Sequence, residues 1–318
     1  PTTKPASSSA MERDILTIRN FNWEDIPAMI DLEGSFRQTK GETYPVDAKL
    51  FREHLEQPNL HAEENCLLYY QNGELKGYAL IWSEPIIKRT VLELKIPATY
   101  LRQSAGKALL LEAIGKARRL GALVLHAQVP QDPVWETLFL EAGFSPVRDY
   151  WVMQWDPQHL PSIDLPLGFA FRDYGKSGDA EVLTQIQNSA FEGSWGFSPN
   201  TINEIGYRTN MSNTSHEGIK FLATSNAVAG YCWTFVVRRD IGTVGVISMI
   251  GIDPTYRQQR LGQPLLQSGL DYLTSQEVVH VELEVDGQNL AAIRLYQSVG
   301  FKKVEELHWF QSQLDRPC

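Results

Sequence analysis

Two kinds of apolar pattern alternate along this chain. Unbroken β-branched runs such as VGVISMIGI, from Val244 to Ile252, fit strands buried on both faces. Amphipathic stretches follow them: Leu261, Leu265, Leu266, Leu270 and Leu273 fall on roughly one face at helical spacing, the pattern that packs against a sheet. In HVELEVD, from His280, alternation puts Val281, Leu283 and Val285 on one strand face and Glu282, Glu284 and Asp286 on the other. A short helix holding Ala291 to Leu295 follows. LLYYQNGELKGYALIW and KFLATSNAVAGYCWTFVV, each split by turn residues, read as hairpins. Strands alternating with helices in this way predict a mixed α/β fold.

The pattern occurs twice. ELKIPATYLRQSAGKALLLEAIGKARRLGA, from Glu93, matches MIGIDPTYRQQRLGQPLLQSGLDYLTSQEV, from Met249, with Tyr100 and Tyr256, and Gly106 and Gly262, each 156 positions apart. LFLEAGF then matches LYQSVGF, with Phe144 and Phe301 157 apart, so the trailing Gly-Phe falls nearly in register. Between the copies, Pro157, Pro161 and Pro166 mark an extended linker over 156–167. The expected division is a first unit over 11–155, closed by the strand WVMQW, and a second over 168–318, opened by FAFRDY. Residues 1–10 read as a disordered leader without the apolar core of a secretory signal.

Composition narrows the function classes. In 318 residues, 43% hydrophobic and 21% charged describe a globular chain, and 29 Lys and Arg against 38 Asp and Glu give −9. That balance argues against nucleic acid or an anionic membrane as partner, and no run of about 18 apolar residues occurs. A cytoplasmic location is expected. Cys66, Cys232 and Cys318 lack C-x-x-C spacing, so no metal site is expected, and the first two sit in apolar surroundings as inert thiols.

The stretch RQQRLGQPLLQ, from Arg257, is a donor-rich turn at the mouth of a helix. Pro264 suits the first helical turn, and the free N–H groups from about Gln258 to Gln263 form an anion site with the helix dipole. Gly262 admits a ligand close to the backbone, and Arg257 and Arg260 add charge. A nucleotide pyrophosphate suits such a site. A P-loop would need GK[ST] after its glycine, and a dinucleotide fold G-x-G-x-x-G; neither is present.

The residues D-P-x-x-R-x-x-R-x-G-x-x-L-L, followed by L-E-V-x-x-x-N-x-x-A-x-x-L-Y-x-x-x-G-F, resemble the signature of the GNAT acetyltransferase superfamily. Pro254 and Leu265-Leu266 fix the register. Arg260 stands where the first glycine of the turn usually does, and an ordinary right-handed or extended backbone is expected there. The resemblance implies two tandem GNAT-like units, each a mixed, mostly antiparallel sheet flanked by helices. It also implies acetyl-CoA as co-substrate and an amine acceptor, either a small molecule or a peptide. Two units with the better motif second are arranged as in mycothiol synthases, which acetylate the cysteinyl amine of a thiol glycoside. Val246, however, replaces the glutamate those enzymes carry before the turn.

On this resemblance, the strand segment Ile250, Gly251 and Ile252 polarises the thioester carbonyl. Arg257, Gln258, Gln259, Arg260, Leu261, Gly262 and Gln263 hold the pyrophosphate, while Asn289 and Ala292 meet the pantetheine arm. Tyr296 is the implied proton donor. Glu284, in an L-E-V twelve residues earlier, is similar in place to the base of ribosomal-protein N-terminal acetyltransferases. The first copy has Phe139, Asp132 and Ala127 at the positions of Tyr296, Asn289 and Glu284; it keeps Arg102, Gly106 and Lys107 and reads as non-catalytic. AFEGSWGFSP offers Trp195 and Phe197 for a mobile lid over the acceptor. His216-Glu217 is a further candidate for its mouth. Two other readings stay open: a non-catalytic acyl-CoA sensor, and an enzyme that acetylates a small aminothiol.

Overall fold

A computed structural model describes residues 16–101, 104–161 and 163–314. The leader 1–10, Arg102 and Cys318 lie outside them. The first copy runs β1 (Leu16–Asn20), α1 (Ile26–Thr39), α2 (Ala48–Leu55), α3 (Ala62–Asn65), β2 (Cys66–Gln71), β3 (Glu74–Glu84), β4 (Arg89–Lys95), α4 (Ala98–Leu101), α5 (Ser104–Arg119), β5 (Val124–Val129), α6 (Pro133–Glu141) and β6 (Ser145–Trp155). The second runs β7 (Ala170–Asp173), α7 (Asp179–Phe191), α8 (Ile202–Thr209), β8 (Ile219–Ala223), β9 (Val228–Arg239), β10 (Gly242–Ile252), α9 (Gly262–Ser275), β11 (His280–Asp286), α10 (Leu290–Val299) and β12 (Lys302–Gln313).

The two expected hairpins are β2–β3 and β8–β9, both antiparallel. Asn72-Gly73 turns the first with positive φ at both residues, which only a small set of residue types tolerates. Helix α9 presents Leu265, Leu266, Leu270 and Leu273 to the sheet, all fully buried. Cys66 and Cys232 are buried, and desolvation pushes both thiols up, so neither is ionised near neutrality.

All described strands join one sheet, in the order β1-β2-β3-β4-β5-β12-β6-β11-β10-β9-β8-β7. The centre of that order differs from expectation. WVMQW, expected to close the first copy's sheet, lies in β6 and pairs with β11 of the second copy. The last strand, β12, pairs with β5 of the first. The closing strands are thus exchanged, and β6 and β12 pair with each other at the middle. Each exchanged strand buries bulky side chains in the host sheet: Met153 and Trp155 join the core under α9, and Phe310 joins the core under α5 and α6. The stretch expected as a linker packs Leu160 and Leu165 on the second core, and Gln267 donates to the Pro161 carbonyl at 3.1 Å. Among the described residues, no helix is long and apolar enough to cross a membrane.

Candidate active site

The site begins where two parallel strands part. β10 and β11 are paired from Val244↔His280 to Ile247↔Leu283. A bulge at Ser248 shifts the register, and β10 continues along β9 without β11. Backbone groups of β10 beyond the bulge that do not bond β9 therefore face the gap. A cleft of about 1300 Å³ opens there, lined by Ile250, Gly251 and Ile252 on one side and Leu283, Glu284 and Val285 on the other. A Cβ at Gly251 would meet that of Ala190 at 2.9 Å, so only glycine lets this strand press against α7.

The turn after β10 corrects one expectation. Arg260 has φ +58° and Gln258 φ +65°, both left-handed, rather than ordinary backbone. Leu261 is right-handed at φ −82°. Alternating handedness converges successive N–H groups into a concave nest, an anion-binding shape that explains why the strained conformation is kept. Among the described residues, no backbone carbonyl receives the N–H of Gln258, Gln259, Arg260 or Leu261. Those four N–H groups and the start of α9 form a cradle that suits a pyrophosphate. Leu261 can serve only through its backbone, because its side chain is core. A Cβ at Gly262 would lie 3.1 Å from Leu295 Cδ2, so this glycine also lets α9 sit against α10. Arg257 donates to the carbonyls of Ala190 at 2.7 Å and Ile252 at 3.3 Å, which fixes its charge at the cleft wall. Arg257 and Gly262 line the cleft, with Gln258, Gln259 and Arg260 exposed between them and Gln263 exposed just beyond.

Tyr296 and Glu284 both line the same cleft. Tyr296 is buried, and desolvation, with a smaller contribution from Cys232, pushes its phenol well above the ordinary range. Glu284 is reached by water through the cleft but walled by protein. Burial first, then Glu305 and Glu282, raises its carboxyl above the usual carboxylate range. Its neighbour Glu282 differs. Arg239 grips it in a fork at 2.8 and 2.7 Å and His280 approaches at 2.8 Å. Burial alone would raise Glu282, but these donors hold it below the usual range. Asn289 caps α10 by accepting from Ala292 N at 3.1 Å, and both residues line the cleft.

Trp195 and Phe197 line the cleft too, but their loop is pinned rather than free-standing. Arg89 donates to the Gly196 carbonyl at 2.6 Å, and Trp195 stacks on His126 at 5.0 Å between ring centres. Asn188 and Asn200 close its base through two hydrogen bonds of 3.0 and 2.9 Å. His216 packs edge-on against Tyr174 instead of lining the cleft. In the first copy, Phe139 is buried against Phe144 and Phe310, and Asp132 repeats the helix cap by accepting from Val134 N at 2.8 Å. Sequence reasoning missed the first copy's share of the cleft: Gln57, Asn59 and Tyr150, together with Gln187 and Arg208 from the second. No local motif marks them, because only the exchange and the packing of the copies bring them together.

Residues 180–301 match the acetyltransferase (GNAT) family model. A mycothiol acetyltransferase of Thermobispora bispora is 30% identical over 251 residues, covering 74% of this chain and 80% of that protein. The chain belongs to the GNAT acetyltransferase family. A mycothiol acetyltransferase of Nocardia farcinica is 29% identical over 74% of this chain and 78% of its own length. Two solved GNAT structures share the whole-chain fold. One, from Sphaerobacter thermophilus, has a TM-score of 0.72 at 20% identity over 95% of this chain and 96% of that one. The other, a tandem GNAT protein from the clavulanic acid biosynthesis pathway, has a TM-score of 0.71 at 17% identity over 96% and 100%. The protein is therefore an acyltransferase of a family that uses acetyl-CoA as co-substrate, and the non-catalytic sensor reading falls away.

Proposed function

We propose that the chain transfers acetyl from acetyl-CoA to a primary amine, with the chemistry in residues 168–318 and none in 11–155. The observation that carries this is the meeting of a raised carboxylate, Glu284, and a buried phenol, Tyr296, in one cleft that ends at an anion nest. Glu284 takes a proton from the ammonium, directly or through water, and frees the nitrogen lone pair. β10 backbone N–H groups beside Ile250 to Ile252 stabilise the oxyanion as the C–N bond forms. Tyr296 gives its proton to the departing sulfur as the C–S bond breaks, and the second proton lost by the nitrogen passes to water as the phenolate takes one up from it. Raised by burial, it stays protonated until then. Gln258 to Gln263 and Arg257 hold the pyrophosphate, Asn289 and Ala292 the pantetheine arm, and Trp195 and Phe197 the acceptor side.

Relatives named mycothiol acetyltransferases favour a second reading, an aminothiol acceptor. The deciding experiment follows thiol release from acetyl-CoA with a panel of amines for wild type, Tyr296→Phe and Phe139→Tyr. Loss of turnover in the first variant and no new activity in the second support the assignment. Full activity in Tyr296→Phe reverses it.

A further inference from the structure

The cleft, where the two copies meet, is also lined by a cation with no ion-pair partner among the described residues. Arg208, on α8, lines the cleft and is half-buried. Its Nε donates to Gln57 Oε1 and its Nη1 to Asn200 Oδ1, both at 3.2 Å and both neutral amides. No carboxylate among the described residues forms an ion pair with it. The two acidic side chains that act on it electrostatically are engaged elsewhere. Glu84 pairs with Arg89, and Glu204 accepts from Thr201 N and Oγ1 at 2.6 and 2.9 Å in a capping box. Nη2 is left without a partner among the described residues. A guanidinium stays charged, so a half-buried one held only by neutral amides offers an anion in the cleft a charged partner.

Three buried polar atoms of residues lining this cleft are also unpaired: Asn59 Oδ1, Gln187 Oε1 and Trp233 Nε1. Gln187 and Trp233 are only 3% and 4% exposed. Native interiors rarely leave such atoms unmatched, and they mark this wall of the cleft as polar rather than apolar.

We propose that the acceptor amine also carries a carboxylate, and that Arg208 receives it. The inference rests on the acetyl-transfer reading and adds the acceptor's class, an aminocarboxylate such as an amino acid or a peptide with a free C-terminus. A monoanion fits better than a phosphate dianion, because Glu84 and Glu204 already stand near the guanidinium. Glu284, in the same cleft, stands by its ammonium.

The test pairs amino acids and dipeptides with their C-terminal amides and with aminophosphonate counterparts, and reads thiol release from acetyl-CoA. Wild type should favour acid over amide by roughly 10- to 100-fold in kcat/KM, the worth of a charge-assisted hydrogen bond. Phosphonates should be poorer than acids. Arg208→Gln should abolish the acid preference, raising KM for the acids far more than for the amides, and Arg208→Lys should restore part of it. Arg208→Met should lose the acid preference as Arg208→Gln does, with a Tm close to that of wild type, because the side chain it replaces is half-buried and held only by neutral amides. Equal rates on acids and amides overturn the inference, as does a phosphonate preference. So does a large Tm loss in Arg208→Met with unchanged selectivity. Acetyl-CoA binding in calorimetry without turnover of any acid overturns the acceptor class and leaves the coenzyme site standing. Absence of acetyl-CoA binding overturns the reading beneath it.

Discussion

Tyr150 stands diagonal to Glu284 across the ladder that joins β6 to β11, opposite Asp286, with Val152 opposite Glu284. All four share one face of the sheet, so a tyrosine from the first copy flanks the carboxylate of the second. Burial pushes the Tyr150 phenol up to about 12, reinforced first by Asp286 and then, after the opposing Arg148, by Glu284. It is neutral at any pH where the enzyme would work, so it adds a polar wall without adding charge. The environment of Glu284 is therefore built from both copies.

Glu284→Gln keeps the size of the side chain and removes its charge. If Glu284 is the base, kcat/KM should fall by about 10²- to 10⁴-fold, with acetyl-CoA affinity unchanged in calorimetry. The base acts ionised and its carboxyl is raised, so wild-type kcat/KM should climb with pH through a midpoint above the usual carboxylate range. Stability should run the other way. A carboxyl raised in the folded state destabilises the fold once ionised, so Glu284→Gln should have the higher Tm at neutral pH and no advantage in acid. Near-normal kcat/KM in the variant would return Glu284 to a bystander.

Glu282 is held by Arg239 and His280, and its pKa is depressed. A depressed carboxyl contributes stability above its unfolded pKa and loses it as pH falls through the folded value. Glu282→Gln should leave kcat/KM within a few-fold of wild type. It should lower the urea midpoint at neutral pH, and the gap should close in acid. A large kinetic loss with unchanged stability would make Glu282 part of the chemistry.

Arg260 tests the nest directly. Arg260→Gly and Arg260→Ala both remove the charge, but only glycine adopts φ +58° without penalty. The glycine variant should be the more stable of the two by about 1 kcal/mol in urea melts. An ordinary helical backbone would reverse the sign, because glycine then costs about 1 kcal/mol against alanine.

Gly262→Glu places a Cβ 3.1 Å from Leu295 Cδ2 and a negative charge beside the nest. Acetyl-CoA binding should be lost in calorimetry, whereas Gly262→Ala should weaken it less and lower Tm slightly. Wild-type affinity in the glutamate variant would move the pyrophosphate elsewhere.

Phe139→Tyr buries a hydroxyl among Phe144 and Phe310. It should cost about 1–3 kcal/mol of stability in urea melts, since no water reaches the new group. A neutral effect would mean that the first copy has room for a polar atom there.

Much of this was legible in the chain itself. The leucine stripe of α9, the alternation in β11 and the two hairpins carry local periodicities, so they could be read without tertiary information. Tyr296 and Glu284 were found by the spacing of a motif, and they share the cleft. The left-handed Arg260 was not, because the sequence offers an arginine where the conformation favours glycine. The partnership of β6 with β11 was hidden as well: β6 reads equally well as a strand in either sheet, and pairing partners far apart in sequence leave no local mark. Arg208 fell outside reach for a related reason. Its lack of a counter-charge is a property of the assembled cleft, and the helix that carries it looks like any amphipathic helix.

The exchange of closing strands has a consequence for how the protein comes to exist. On a ribosome the first copy is synthesised well before the second, yet its sheet is completed only by β12, the last strand described. Until then β5 has an open edge, a template on which two nascent chains can pair wrongly. The early copy must wait for the late one, so the two mature as a single cooperative unit rather than in succession. A break in the intervening segment 156–167 would leave two fragments, each holding the strand that the other's sheet pairs with.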